Sequence, residues 1–206
     1  MRIVRLLVLS LFVASVAEAG PLTARLSDGP GTTGGGEFNL TLFDGGTPVE
    51  TFITFCLQMT QYIDFTTTFS VHSISTATDD AAGPDTLDPQ TAWLYTNMRA
   101  GTLPGYDHST AAANALQKSF WYFEGEVTAN PDLEAGNDYD FVALANAAVA
   151  NGSWSGLGDV RVLNIFYPNG ARAQDQLFLV PEPTTLGMMG MGAVVATFRR
   201  RRLNRE

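Results

Sequence analysis

The chain has 206 residues, one cysteine, two histidines and a formal net charge of −9. Seven of its twelve basic residues (Arg2, Arg5, Arg199 to Arg202 and Arg205) lie near its two ends, so between Gly20 and Pro183 five basic residues face nineteen acidic ones, a net −14 that repels phosphate backbones and excludes nucleic acid as a partner. The lone cysteine excludes an intramolecular disulfide and any multi-cysteine metal centre, and two histidines supply too few nitrogens for structural zinc, so neither metal nor cofactor is expected.

Residues 1–19 carry Arg2 and Arg5, an apolar run from Leu6 to Ala17, and the small-x-small sequence Ala17-Glu18-Ala19. That is the pattern of a secretory signal peptide, which brings in the secretion translocon and signal peptidase as partners. Residues 20–36 are rich in Gly and Thr and read as a flexible loop ahead of a single domain at 37–180.

Within that domain Phe38, Leu40 and Leu42 alternate with polar residues, Asp44-Gly45-Gly46 supplies a turn, and Thr51 to Leu57 is a second β-rich run. A hairpin is expected, with Cys56 at the end of its second strand. Alternation from Tyr62 to Ser73 predicts a third strand. Asp79 to Asp88 reads as a solvated loop, because its aspartates lack the spacing of an EF-hand.

The period then changes. Ala92 to Met98 is a short helix; Leu116, Phe120 and Phe123 recur at helical spacing behind a Ser109 or Thr110 cap; a third helix carries Phe141, Leu144 and Ala148 and ends at Asn151-Gly152. Val160 to Tyr167 and Gln174 to Val180 return to strand around the turn Pro168-Asn169-Gly170. The expected architecture is α+β, an antiparallel sheet or sandwich with an inserted helical segment.

Past the domain, Val180-Pro181-Glu182-Pro183 is an exposed, extended stretch, since the two prolines remove donors and fix φ. Residues 184–198 are uncharged and would span about 22 Å as a helix, short of the ~30 Å hydrocarbon core. Arg199, Arg200, Arg201 and Arg202 follow and would hold that end on the cytoplasmic side. This order closely resembles the PEP-CTERM sorting signal of exported bacterial proteins, a tail also labelled an ice-binding protein C-terminal domain, a label that says nothing about ice. The resemblance covers 181–206 with the preceding Val180. It implies a membrane intermediate, cleavage near the Pro-Glu-Pro by an exosortase, and delivery to the cell surface or extracellular matrix.

The sequence has no G-x-S-x-G, H-E-x-x-H or P-loop. Carboxylates such as Glu124 with Glu126, or Asp138 with Asp140, offer acid and base groups, but an acidic chain supplies such pairs without function. His72 and His108 read as surface histidines. The remaining constellation is Phe55-Cys56-Leu57 with Leu116-Gln117-Lys118-Ser119-Phe120-Trp121. It resembles the thioester domain of bacterial surface adhesins, although Leu116 and Ser119 stand where that family's motif has Thr and Ala. The resemblance implies an internal thioester, with Cys56 as thiol, Gln117 as acyl donor and Trp121 packed beneath the helix. A partner's amine or hydroxyl would then take the acyl group.

These observations lead to an exported, non-catalytic surface or matrix protein with a structural or adhesive body. Extracellular polysaccharide or a surface protein is its expected partner. The alternatives are covalent adhesion through Cys56 and Gln117 and, on the abundance of carboxylates and aromatics alone, a secreted glycan hydrolase.

Overall fold

Side-chain alternation builds the sheet, and the segment that follows its first edge strand pairs with its last. In the computed structural model, which describes residues 20–32 and 34–181, the strands are β1 (Leu22–Asp28), β2 (Phe38–Asp44), β3 (Thr47–Thr54), β4 (Phe69–Ser75), β5 (Val160–Phe166) and β6 (Gln176–Leu179). They form one antiparallel sheet in the order β3-β2-β1-β4-β5-β6. Just past β3 the chain turns along β6: the Leu177 N–H donates to the Phe55 carbonyl (3.0 Å), the Leu57 N–H donates to the Asp175 carbonyl (3.1 Å), and Cys56 pairs antiparallel with Gln176. The two ends of the sheet are thereby stitched together around an apolar interior of Leu26, Leu40, Phe52, Phe69, Ile165 and Phe178.

Three helices are inserted between β4 and β5: α1 (Pro89–Ala100), α2 (Thr110–Phe123) and α3 (Phe141–Ala150). They pack on the opposite face of β5 and β6, where Val160, Val162 and Leu177 meet Leu94, Leu116, Phe120 and Phe141. Because successive strand residues point to opposite faces, Val162 serves this second core while Leu163 serves the first. The seam residues divide the same way: Phe55 belongs with the helices and Cys56 with the sheet interior.

α2 and α3 lie where the sequence predicts, α1 starts three residues before and ends two after the expected 92–98, and the Ser109 hydroxyl caps α2 by accepting the Ala112 N–H at 3.2 Å. Three expectations are corrected. Residues 20–36 are not a loop throughout, since Leu22–Asp28 is β1, a strand flanked by β2 and β4. Cys56 lies beyond the end of β3, at the seam. The third strand starts only at Phe69: Asp64 accepts the backbone N–H groups of Thr66 and Thr67 (2.8 and 2.7 Å), a side-chain turn that interrupts the alternation and leaves Tyr62 and Phe65 exposed. Of the two expected arrangements, sheet or sandwich, the strands form a single sheet.

At the far end the Val180 N–H donates to the Asp159 carbonyl (2.9 Å) and Pro181 is exposed. Among the described residues no helix is long and apolar enough to cross a membrane. The expected signal peptide (1–19), Glu182, Pro183, the expected span (184–198) and Arg199 to Arg202 lie outside the described residues.

Candidate functional site: a buried Cys56–Gln117 pair

α2 buries one wide stripe that includes Ala113, Leu116, Gln117, Phe120 and Trp121. Positions 113, 117 and 121 are each four apart and so stack on one face. Gln117 therefore lies in the middle of the buried face, fully shielded from solvent, and the helix aims it at the seam. Cys56 is equally buried there.

The two side chains, 61 residues apart in sequence, are in direct contact. The Cys56 thiol donates to Gln117 Oε1 at 3.3 Å, and Gln117 Nε2 donates back to the Cys56 carbonyl at 2.8 Å. A third bond comes from the loop between β1 and β2, whose Gly36 N–H donates to the same Oε1 at 3.1 Å. The amide orientation is fixed by chemistry, because a backbone N–H can only donate and a backbone carbonyl can only accept. The electrophilic carbon of Gln117 is thus held beside a thiol, with its oxygen on a backbone donor and its nitrogen facing away from that donor.

Glycine makes this approach possible. A Cβ on Gly35 would stand 2.9 Å from both Gln117 Oε1 and Trp121 Cζ2, and one on Gly36, at φ +136°, would meet the Pro30 carbonyl oxygen at 2.7 Å. The loop is tied to α2 a second time through Asn114, which accepts the Thr32 N–H (2.7 Å) and donates to the Thr32 hydroxyl (2.9 Å). Gly35 also lines a cleft of about 280 Å³ with Phe38, Tyr62, Ile63, Phe65 and Gln174.

Around the pair the surroundings are apolar. The Phe55 and Phe120 rings meet edge-on with centroids 5.2 Å apart, and Trp121 is buried. Burial pushes the Cys56 thiol far above its ordinary range, so it is protonated at rest. The Trp121 indole N–H, buried without a well-formed hydrogen bond, favours the anionic sulfur. Acyl transfer needs a sulfur beside a carbonyl, a donor on the carbonyl oxygen and exclusion of water, and here Cys56 Sγ, the Gly36 N–H and the burial of both side chains occupy those positions.

The other candidates are placed elsewhere. Glu124 is buried at the C-terminal end of α2, where Oε1 accepts the Asp88 N–H at 3.3 Å, while Glu126 accepts the Met59 N–H at 2.9 Å. Asp138 and Asp140 are exposed just before α3. His72 is exposed on β4 beside Phe166. His108 is exposed, as expected of a surface histidine, and its Nδ1 bonds the buried Glu37 at 2.6 Å. Sequence reasoning missed Gly35 and Gly36 as site residues, and their only trace is a run of glycines. It also left the environment of Gln117 open, although the 113/117/121 ridge was there to be read.

The site thus defines a class: an α+β body with an uncharged, buried cysteine and glutamine in bonding contact. Beyond the body, residues 179–202 match the PEP-CTERM protein-sorting motif, so the chain carries that motif, with Val180 to Pro183 and Arg199 to Arg202 inside it. The motif implies export across the membrane to the cell envelope and processing by an exosortase. Among solved structures the chain is similar to the N-terminal thioester domain of fibronectin-binding protein SfbI from Streptococcus pyogenes, with 15% identity, a TM-score of 0.43, and coverage of 84% of this chain and 100% of that one. No curated protein matches the chain.

Proposed function

We propose that the protein is an exported cell-surface or matrix protein whose body attaches covalently to its partner through an internal thioester between Cys56 and Gln117. The observation that carries this reading is the contact between the Cys56 thiol and the Gln117 amide in a site closed to solvent. The chemistry balances without any added reactant. Sulfur attacks Cδ of Gln117, the S–C bond forms, the C–N bond breaks, and the nitrogen leaves as ammonia carrying the thiol proton. A partner's amine or hydroxyl then takes the acyl group and returns a proton to the Cys56 sulfur. Each site reacts once, so the body acts as an adhesive module and not as an enzyme.

The acidic, exported body and the sorting motif support a role outside the cytoplasm. The cleft beside Gly35 supports approach of the partner from the side of Tyr62 and Phe65. Incubation with methylamine followed by peptide mapping tests the reading: N-methylation of the Gln117 amide with release of one titratable thiol is expected. A Cys56 thiol that is free before methylamine, with Gln117 unmodified afterwards, would leave Cys56 as core filler in a non-covalent structural module. Terminal mapping of the surface-bound protein tests the sorting half, which predicts loss of Arg199 to Arg202.

A further inference from the structure

The Gly36 N–H is held in place from the next residue along. Glu37 is charged yet almost fully buried, and its backbone N–H closes the loop by donating to the Pro30 carbonyl at 2.9 Å. Its Oε1 is hydrogen-bonded by two side chains, the Tyr106 hydroxyl and His108 Nδ1, the latter at 2.6 Å. Tyr106 must be the donor, because burial and the adjoining carboxylate keep its phenol protonated far above the ordinary range. The same ring packs against Phe55, the residue before Cys56, with centroids 6.5 Å apart, and against the His108 ring at 4.9 Å. His108 is in the left-handed region at φ +61°, the only residue other than glycine there among those described, and it immediately precedes the Ser109 cap of α2. Strained backbone of this kind persists where surrounding contacts over-determine it. One cluster thus fixes the loop that brings Gly36, flanks the seam that carries Cys56, and anchors the start of the helix that carries Gln117.

We propose that Glu37, gripped by Tyr106 and His108, is a positioning residue that sets the Gly36 N–H as the oxyanion donor for acyl chemistry at Gln117. The inference rests on the thioester reading above. When sulfur, or later an incoming amine, adds to Cδ, the carbonyl electron pair moves onto Oε1. The Gly36 N–H already points at that atom and stabilises the charge until the C=O re-forms and the leaving group departs. Glu37 touches neither reacting group; it acts through the one-residue link to Gly36.

The test uses the full chain with methylamine as probe, following intact mass against time and the infrared stretch of the thioester carbonyl. A Tyr106→Phe/His108→Ala double variant removes both donors to Glu37. It is expected to slow methylamine uptake about tenfold, less than complete loss of an oxyanion donor costs, and to move the carbonyl stretch to higher frequency as the Gly36 bond weakens. Changing the second site to His108→Asn should bring both readouts back to the level of Tyr106→Phe alone, since asparagine tolerates positive φ and its Nδ2 takes the place of His Nδ1. Should the double variant not fold, Tyr106→Phe alone carries the same readouts with an expected change of about threefold. Folded variants that react at the wild-type rate with an unmoved carbonyl stretch overturn the inference while leaving the thioester intact. Wild-type protein of full mass with a free thiol overturns both, and is recognised before any variant is made.

Discussion

Cys56 and Gln58 lie two residues apart on the seam and feed two different buried polar clusters. Gln58 leads to Asp175, whose carboxylate accepts from Gln58 Nε2 (3.0 Å), Asn164 Nδ2 (3.0 Å), the Asp79 N–H (2.7 Å) and the Ile165 N–H (3.3 Å). Those four donors saturate an ion that burial nonetheless pushes up to about 6. Cys56 leads to Gln117, where both partners are neutral, the donor set is sparse and a nucleophilic atom touches an electrophilic group. A saturated ionic cluster locks strands together. A neutral pair of thiol and amide contributes less to holding the fold together, and under the proposed reading its role is chemical. The two clusters should therefore respond oppositely to mutation.

The largest expected effect falls on the saturated cluster. Asp175→Ala leaves Gln58 Nε2 and the Ile165 N–H buried without acceptors and takes one acceptor each from Asn164 Nδ2, which keeps the Ala77 carbonyl, and from the half-buried Asp79 N–H, and should cost about 4 kcal/mol in denaturant unfolding. The fraction that remains folded should still lose ammonia. Loss of the thioester in folded Asp175→Ala protein would break the distinction between the clusters.

Next comes pH. Glu124 is buried with Oε2 unpartnered, and burial, with lesser contributions from Asp88 and Asp85, pushes it up to about 7 from an ordinary 4.5. A raised acid binds its proton more tightly in the folded state, so its contribution to stability is complete below about pH 4.5 and is lost as pH rises through about 7. The wild type should lose about 3 kcal/mol more over this range than Glu124→Gln. Parallel pH profiles for the two proteins would show that Glu124 is not held in its acid form.

Smaller again is Gly36→Ala, expected to cost about 2 kcal/mol because a side chain at φ +136° is strained and its Cβ meets the Pro30 carbonyl oxygen. It should also slow thioester formation, coupling a modest stability loss to a chemical one. Unchanged formation kinetics would separate the loop from the chemistry. Measured against wild type opened with methylamine, in which no cross-link remains, Cys56→Ala has the smallest expected stability cost, about 1 kcal/mol for a lost sulfur and one weak hydrogen bond, yet it should abolish the chemistry completely.

Much of this was legible in the sequence. Helical spacing located α2, and the resemblance of the short motifs around Cys56 and Gln117 to those of thioester domains implied that the two meet across 61 residues. What stayed hidden has physical reasons. β1 alternates Leu22, Ala24 and Leu26 with polar residues, but alanine gives a faint apolar signal and the glycine run that follows masked it. The alternation from Tyr62 onward was real, yet the Asp64 side chain offered its backbone a turn instead of a ladder. Glu37 meets Tyr106 and His108 across 69 and 71 residues, and Gly36 contributes only a backbone N–H, so no side-chain pattern announces either.

The central claim is that Cys56 and Gln117 become covalently joined, and intact mass measures it directly. The secreted, non-reduced protein should be about 17 Da lighter than the sequence between its mapped termini, one ammonia having left, while Cys56→Ala should show its full calculated mass. A wild-type protein at full mass, with its single thiol unmodified after unfolding, would contradict the account.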